Sequence, residues 1–161
     1  MTASPIDGIN ALPEDELRSE LSHCCASVRW VDAVAAARPF ASADALLHYG
    51  DRVLDDLRDE DWLEAFAGAG VRELNTGDDG TRSATRIALQ LYEERFGYPY
   101  VVAEQLGGEE LLMRVRIRLG LEPAAQLRAS RAEQRRLTHG RLQRLIERIG
   151  STDRGAHTPL S

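Results

Sequence analysis

Cysteine is scarce in this chain: there are two, Cys24 and Cys25, and they are neighbours. Adjacent helical residues point about a quarter turn or more apart, so a bridge between them is not expected. A reduced, partly buried pair in a cytoplasmic protein is the reading that remains, and no metal-ligand spacing surrounds it. Positive charge is also in deficit. The formal net charge is −6 and no basic face stands out, which argues against nucleic acid, since phosphate binding needs clustered cations. The arginines between Arg128 and Arg148 are interleaved with Glu133 and Glu147 on one predicted helix, the pattern of a solvated face. No charged-then-apolar leader and no long apolar run appear, so neither a signal peptide nor a membrane span is expected. Internal repeats, low-complexity tracts and Gly-rich phosphate loops are missing too.

What is present is a succession of helices. At 161 residues one domain with a core of its own is expected. Pro13 opens a helix whose Leu17, Leu21 and Cys24 share a face. Val28, Val31 and Val34 form one stripe of the next, which Pro39 ends. Ser42 can cap a third helix, with Leu46, Leu47, Val53, Leu54 and Leu57 on its apolar side and Gly50 inside it. Asp59 or Asp61 starts a short helix through Trp62, Leu63 and Phe66, ended by a Gly-rich bend. In "SATRIALQLYEERFG", Ile87, Leu91 and Tyr92 share a face and Gly97 suits a left-handed cap. "YPYVV" is short and β-branched, hence extended. "GGEELLMRVRIRLG" and a long final helix ending at Gly150 follow. The expected fold is all-α: a single-domain helical bundle with one short extended segment near 99–103. Residues 1–11 form an N-terminal arm, 12–150 the helical domain and 151–161 a mobile C-terminal tail.

Three pieces in this order carry a resemblance: Trp30 followed by Arg38-Pro39-Phe40; "LYEERFGYPYVV", Leu91 to Val102; and "LLMRVRIRLG" followed by "EQRRLTHGRLQRLI". Together they resemble the 2-oxo-4-hydroxy-4-carboxy-5-ureidoimidazoline (OHCU) decarboxylase family of uric acid degradation, from about Leu12 to Ile149. The resemblance implies an all-helical fold, commonly a homodimer, needing no metal and no organic cofactor. It implies a decarboxylation that yields (S)-allantoin. A histidine in an "HPRIG"-like segment and a glutamate in a later "EQ" pair carry the family's chemistry. The backbone of the extended segment after "FG" holds the ligand ring, and an arginine of the last helix meets a polar or anionic group.

The family's catalytic segment should follow Asp61-Trp62-Leu63-Glu64-Ala65-Phe66. Here Phe66 and Ala67 run almost at once into Ala69-Gly70-Val71. One alignment reads these three as the "AGV" after a deleted "EQ", so that a single deletion removes both histidine and glutamate. Another sets Ala69 against the histidine and Gly70 against the proline. Either way no histidine remains. Candidate replacements are few. Glu73 follows the gap, and His139 lies two residues before Arg141 on a predicted helix, on a different face from it. Each is weighed against an ordinary solvated side chain. His23 and His48 are read as surface or partnered histidines, His157 as a residue of the tail, and Asp78-Asp79 as turn chemistry rather than a calcium loop.

Tyr100, Val101 and Val102 match the extended segment, whose backbone groups could recognise a ring amide. Arg141 matches the family arginine and could clamp a carboxylate. Trp30 and Phe40 are core or pocket wall. The expectation is a divergent member that keeps a small-molecule pocket, for a carboxylate- or ureido-bearing ligand, but not the uric acid reaction. It could serve a biosynthetic pathway. The alternatives are a genuine OHCU decarboxylase with relocated acid-base groups, or a non-catalytic binding or partner subunit.

Overall fold

The computed structural model describes residues 4–71 and 77–155. Among these, eight helices and no strand are found. The chain divides into two units. Unit 1 comprises Met1–Asp61 with Thr138–Ser161, and unit 2 comprises Trp62–Leu137.

In unit 1 the first element is α1 (Pro5–Ala11), with Ile6 and Ile9 buried. Residues 1–11, expected as an arm, thus contain a helix, opened by the Ser4 N–H donating to Asp7 Oδ2 (2.9 Å). In α2 (Glu14–Cys24) the buried side is Leu17, Leu21 and Cys24, the face its spacing predicts. Cys25, just after it, is also buried, and neither cysteine forms a disulfide. In α3 (Val28–Ala36) the Ser27 hydroxyl accepts the Trp30 N–H (3.2 Å). The expected valine stripe is only partly core. Val31 and Val34 are buried, Val28 is exposed, and Trp30 fills the interior instead. α4 (Ala43–Asp55) is capped by Ser42, which accepts the Ala45 N–H (3.0 Å). α2 packs on α3, and α3 on α4.

Gly50 explains itself inside α4. A Cβ there would lie 3.2 Å from Leu142 Cδ2 and 3.4 Å from Trp30 Cζ2. The missing side chain lets the indole reach the helix backbone, where Trp30 Nε1 donates to the Gly50 carbonyl (3.0 Å). Close packing outweighs the roughly 1 kcal/mol of lost helix propensity.

α5 (Asp59–Ala69) begins at Asp59, with three acids in its first turn, where they complement the helix dipole. Trp62, Ala65 and Phe66 are buried, whereas Leu63 is exposed. In unit 2, α6 (Asp79–Phe96) starts earlier than its apolar pattern indicates. Asp78 caps it by accepting the Thr81 N–H (2.7 Å), and Gly97 closes it at φ 83°. The expected face of Ile87, Leu91 and Tyr92 is split: Tyr92 is buried with Thr85 and Ala88, but Ile87 and Leu91 face outward. α7 (Gly108–Leu119) runs beside α6 in the same direction. At one end a Cβ on Gly77 would lie 3.6 Å from Gly108 Cα, and at the other Arg95 Nη2 donates to the Leu121 carbonyl (3.4 Å). Parallel neighbours need a return crossing, and residues 97–107, non-helical as expected around 99–103, supply it.

α8 (Pro123–Gly155) is longer than expected, continuing past Gly150. Gly150 is a contact point rather than a terminus, since a Cβ there would come within 3.0 Å of Pro5 Cβ.

Candidate functional site

The candidate site begins at the end of α5. Beyond Ala69 the helix stops at Gly70, and a Cβ on Gly70 would sit 2.4 Å from Pro99 Cβ and 2.6 Å from Pro99 Cγ. A pyrrolidine ring cannot swing aside. The next residue completes the docking, as the Val71 N–H donates to the Tyr100 carbonyl (3.0 Å). The bend after α5 therefore lies on the extended segment and uses an acceptor there. Gly70→Ala should force backbone movement and lower stability by about 1–3 kcal/mol, the usual range for overpacking. Urea unfolding would measure it, and an unchanged midpoint would contradict the close approach.

The extended segment is held from several sides within unit 2. Tyr98, Tyr100 and Val101 are buried, and Val102 is half-buried. The Tyr92 ring meets Tyr100 edge-on at 5.3 Å, and the Arg118 guanidinium lies 5.3 Å above the Tyr100 ring. Arg118 is itself fixed by α8, since Nε donates to Gln126 Oε1 (2.6 Å) and Nη2 to Ser130 Oγ (3.3 Å). Ser130 Oγ also lies 3.1 Å from the Tyr92 hydroxyl, and Gln126 Nε2 donates to both. This buried network is mutually satisfied, as buried polar groups must be. Burial pushes the Tyr92 phenol up to about 12 and raises that of Tyr100. Both remain neutral near physiological pH, so neither serves as a base.

Glu133 was expected on a solvated face. It is instead buried. Its Oε2 accepts the Ala103 N–H (2.9 Å), and its Oε1 accepts from Arg136. The carboxylate anchors the end of the extended segment. No local pattern marks it, because its partner is a backbone group 30 residues away.

In unit 1, Arg141 Nη1 donates to the His23 carbonyl (3.3 Å). Arg141, Arg144 and Arg148 line one side of a groove of about 490 Å³, with Glu20, His23 and Cys24 opposite. Arg148 pairs with Glu20 (2.6 Å). Burial pushes the Cys24 thiol up to about 12, so it is not a thiolate nucleophile. His139 is exposed to a similar degree as its neighbour Asp51, 3.4 Å from its Nδ1. Trp30 is fully buried, and Phe40 is buried with its ring 6.0 Å from Tyr49, its backbone bridged by the Asn10 amide (2.8 and 2.9 Å). Both are core side chains of unit 1. The predicted site residues thus divide: Tyr100, Val101 and Val102 belong to unit 2; Trp30, Phe40, His139 and Arg141 to unit 1. Glu73 and His157 lie outside the described residues. Among the described residues, no group of three or more His, Cys, Asp or Glu could hold a metal, and no helix is long and apolar enough to cross a membrane.

Comparison with known proteins gives concordant results. A family model described as OHCU decarboxylase matches residues 10–69 and 69–143, two pieces that meet at Ala69. A curated 2-oxo-4-hydroxy-4-carboxy-5-ureidoimidazoline decarboxylase from Amia calva is 36% identical over 80 residues. That match covers 49% of this chain and 44% of the relative, so it spans less than half of the relative's length. A crystal structure of OHCU decarboxylase in the presence of (S)-allantoin superposes with a TM-score of 0.73 at 19% identity, covering 80% of this chain and 97% of the other. A crystal structure of (S)-allantoin synthase superposes with a TM-score of 0.70 at 13% identity, covering 89% of this chain and 54% of that one.

Proposed function

The chain belongs to the OHCU decarboxylase family, and from that premise we propose that it is a divergent member which keeps the scaffold and a small-molecule pocket but not the uric acid pathway reaction. The observation that carries this reading is the junction at Ala69. The family match breaks there, where the sequence lacks the His and Glu segment, and the chain goes straight on to bond Tyr100 through Val71 (3.0 Å).

The chemistry explains why the junction matters. Loss of CO2 leaves an electron pair on carbon, and that carbon must be reprotonated on one face. A positioned acid or base typically contributes on the order of 100- to 10,000-fold in rate. Ala69 and Gly70 carry no proton to give. A genuine decarboxylase with relocated groups would need a His or Glu free to face Tyr100 to Val102. The acid at that segment, Glu133, is already engaged by Ala103 and Arg136. What supports a retained ligand is Arg141 beside Arg144 and Arg148 in one groove, a setting suited to a carboxylate- or ureido-bearing molecule. The protein would act without metal or organic cofactor, as a homodimer in the cytoplasm, in a pathway other than uric acid breakdown. A non-catalytic partner subunit is the second reading, favoured by the outward Ile87, Leu91, Met113 and Ile117.

The test is decay of freshly generated ureidoimidazoline, with optically active allantoin followed by circular dichroism. Decay at the spontaneous rate, giving racemic product, is expected. Fast stereospecific formation would overturn the proposal and place the proton transfer on a group such as Glu73 or His139.

A further inference from the structure

In unit 1, one face of α8 carries three guanidiniums. Arg141, Arg144 and Arg148 follow one another at steps of three and four residues, so they share a side over two turns. All three line the groove of about 490 Å³ whose other wall is Glu20, His23 and Cys24 of α2. Cys24 and Leu145, both buried, give that groove an apolar floor.

The three arginines are unequally engaged. Arg148 is paired with Glu20 (2.6 Å). Arg141 gives an N–H to a neutral acceptor, the His23 carbonyl, at 3.3 Å. Arg144 makes no hydrogen bond or ion pair among the described residues. Its guanidinium lies back toward Arg141, since a Cβ on Gly140 would stand 3.7 Å from Arg144 Nη1 and 4.0 Å from Nη2. Burial raises the pKa of the Cys24 thiol, and Arg141 and Arg144 each act to lower it, so both charges bear on one point across the groove. Among the described lining residues Glu20 is the one acid, and Arg148 already holds it. Arg141 and Arg144 therefore face the groove with no counter-charge among the described residues, in a chain whose net charge is −6.

We infer that the ligand of this groove carries a dianionic head, a phosphate monoester or two carboxylates on one carbon, gripped by Arg141 and Arg144, and that Glu20 sets its affinity by competing for Arg148. The inference rests on the reading that the groove holds a small ligand, and it adds the charge class. A single carboxylate fills one guanidinium fork and leaves the second cation uncompensated beside the first. A dianion matches both charges and offers acceptors to both forks. Arg148 joins them only by releasing Glu20, so the ion pair across the groove is a rival to the ligand.

Titration calorimetry of the full chain with three probes that share a phenyl ring tests it, with far-UV circular dichroism confirming the fold of each variant. Phenyl phosphate and phenylmalonate are dianions at about pH 8, and benzoate is a monoanion. At least one dianion should bind about tenfold or more tighter than benzoate, and the tighter of the two assigns the head group. Arg144→Gln should remove that preference, and Glu20→Gln should strengthen dianion binding a few-fold. Arg116→Gln, on α7, should leave it unchanged. Benzoate bound as tightly as both dianions would overturn the charge class and leave a monocarboxylate ligand for the groove. No binding of any probe would overturn the charge class and the ligand-bearing groove together. Dianion binding that is unchanged or weaker in Glu20→Gln would overturn the competition for Arg148. Equal losses in Arg144→Gln and Arg116→Gln would mean diffuse attraction to surface arginines and overturn the site.

Discussion

Trp30→Ala should lower stability by about 3–5 kcal/mol, the range for emptying a large aromatic site in a packed interior. Trp30 is fully buried, and its indole fills the space that Gly50 leaves open beside Leu142. Alanine would leave a cavity, and the Gly50 carbonyl would lose its indole donor at 3.0 Å. Collapse is restricted, because the neighbours are a helix backbone and a leucine anchored on α8. Trp30→Phe separates the two effects. It keeps much of the volume but removes the donor, so it should cost only about 1–2 kcal/mol. Urea unfolding followed by far-UV circular dichroism gives both values without depending on the lost fluorophore. A loss below about 1 kcal/mol for the alanine variant would mean that unit 1 is not packed around this ring.

Phe66→Ala should have an effect of similar size in unit 2, again about 3–5 kcal/mol. Phe66 is fully buried between Trp62, at 6.0 Å, and Tyr98, at 5.1 Å. Tyr98 in turn meets Tyr92 edge-on at 6.1 Å. The rings form a continuous cluster that joins the end of α5 to the segment where Gly70 and Val71 dock. Removing the central ring should therefore do more than lower the unfolding midpoint. Amide exchange at Val71, whose N–H is bonded to Tyr100, should accelerate more than exchange in the middle of α6. Uniform acceleration across the unit would show that the ring holds the core in general and not the docked bend.

The sequence discloses those features whose causes are local. Ser42 caps α4 because its hydroxyl reaches an N–H three residues on, and Gly97 ends α6 because that position has positive φ. The order of pieces that carries the family resemblance is equally visible, since it needs no coordinates. The burial of a stripe is another matter. Ile87 and Leu91 have the spacing of a core face but look outward, because spacing states that residues share a side and not what covers it. Val28 misleads for the same reason. Glu133 and Arg118 were passed over because their partners, Ala103 and the ring of Tyr100, are distant in the chain. Charged residues on an amphipathic helix read as solvent-facing until a specific backbone group or ring is seen to claim them. Of the candidate site, the extended segment was found where expected, while the bond that covers the Tyr100 carbonyl depends on a bend whose path no pattern of residue types encodes.

The division of the chain has a consequence for how it is made. Unit 2 is one uninterrupted stretch, Trp62–Leu137, whereas unit 1 joins Met1–Asp61 to Thr138–Ser161. A ribosome delivers chain at roughly 5–20 residues per second, so α1 to α4 emerge seconds before the part of α8 that completes their core. During that interval the indole of Trp30 and the side of α4 around Gly50 await Leu142, and Glu20 awaits Arg148. Unit 2 can close first, though it follows in the chain. The half-finished N-terminal helices are then the part of the nascent protein most exposed to chaperones and proteases.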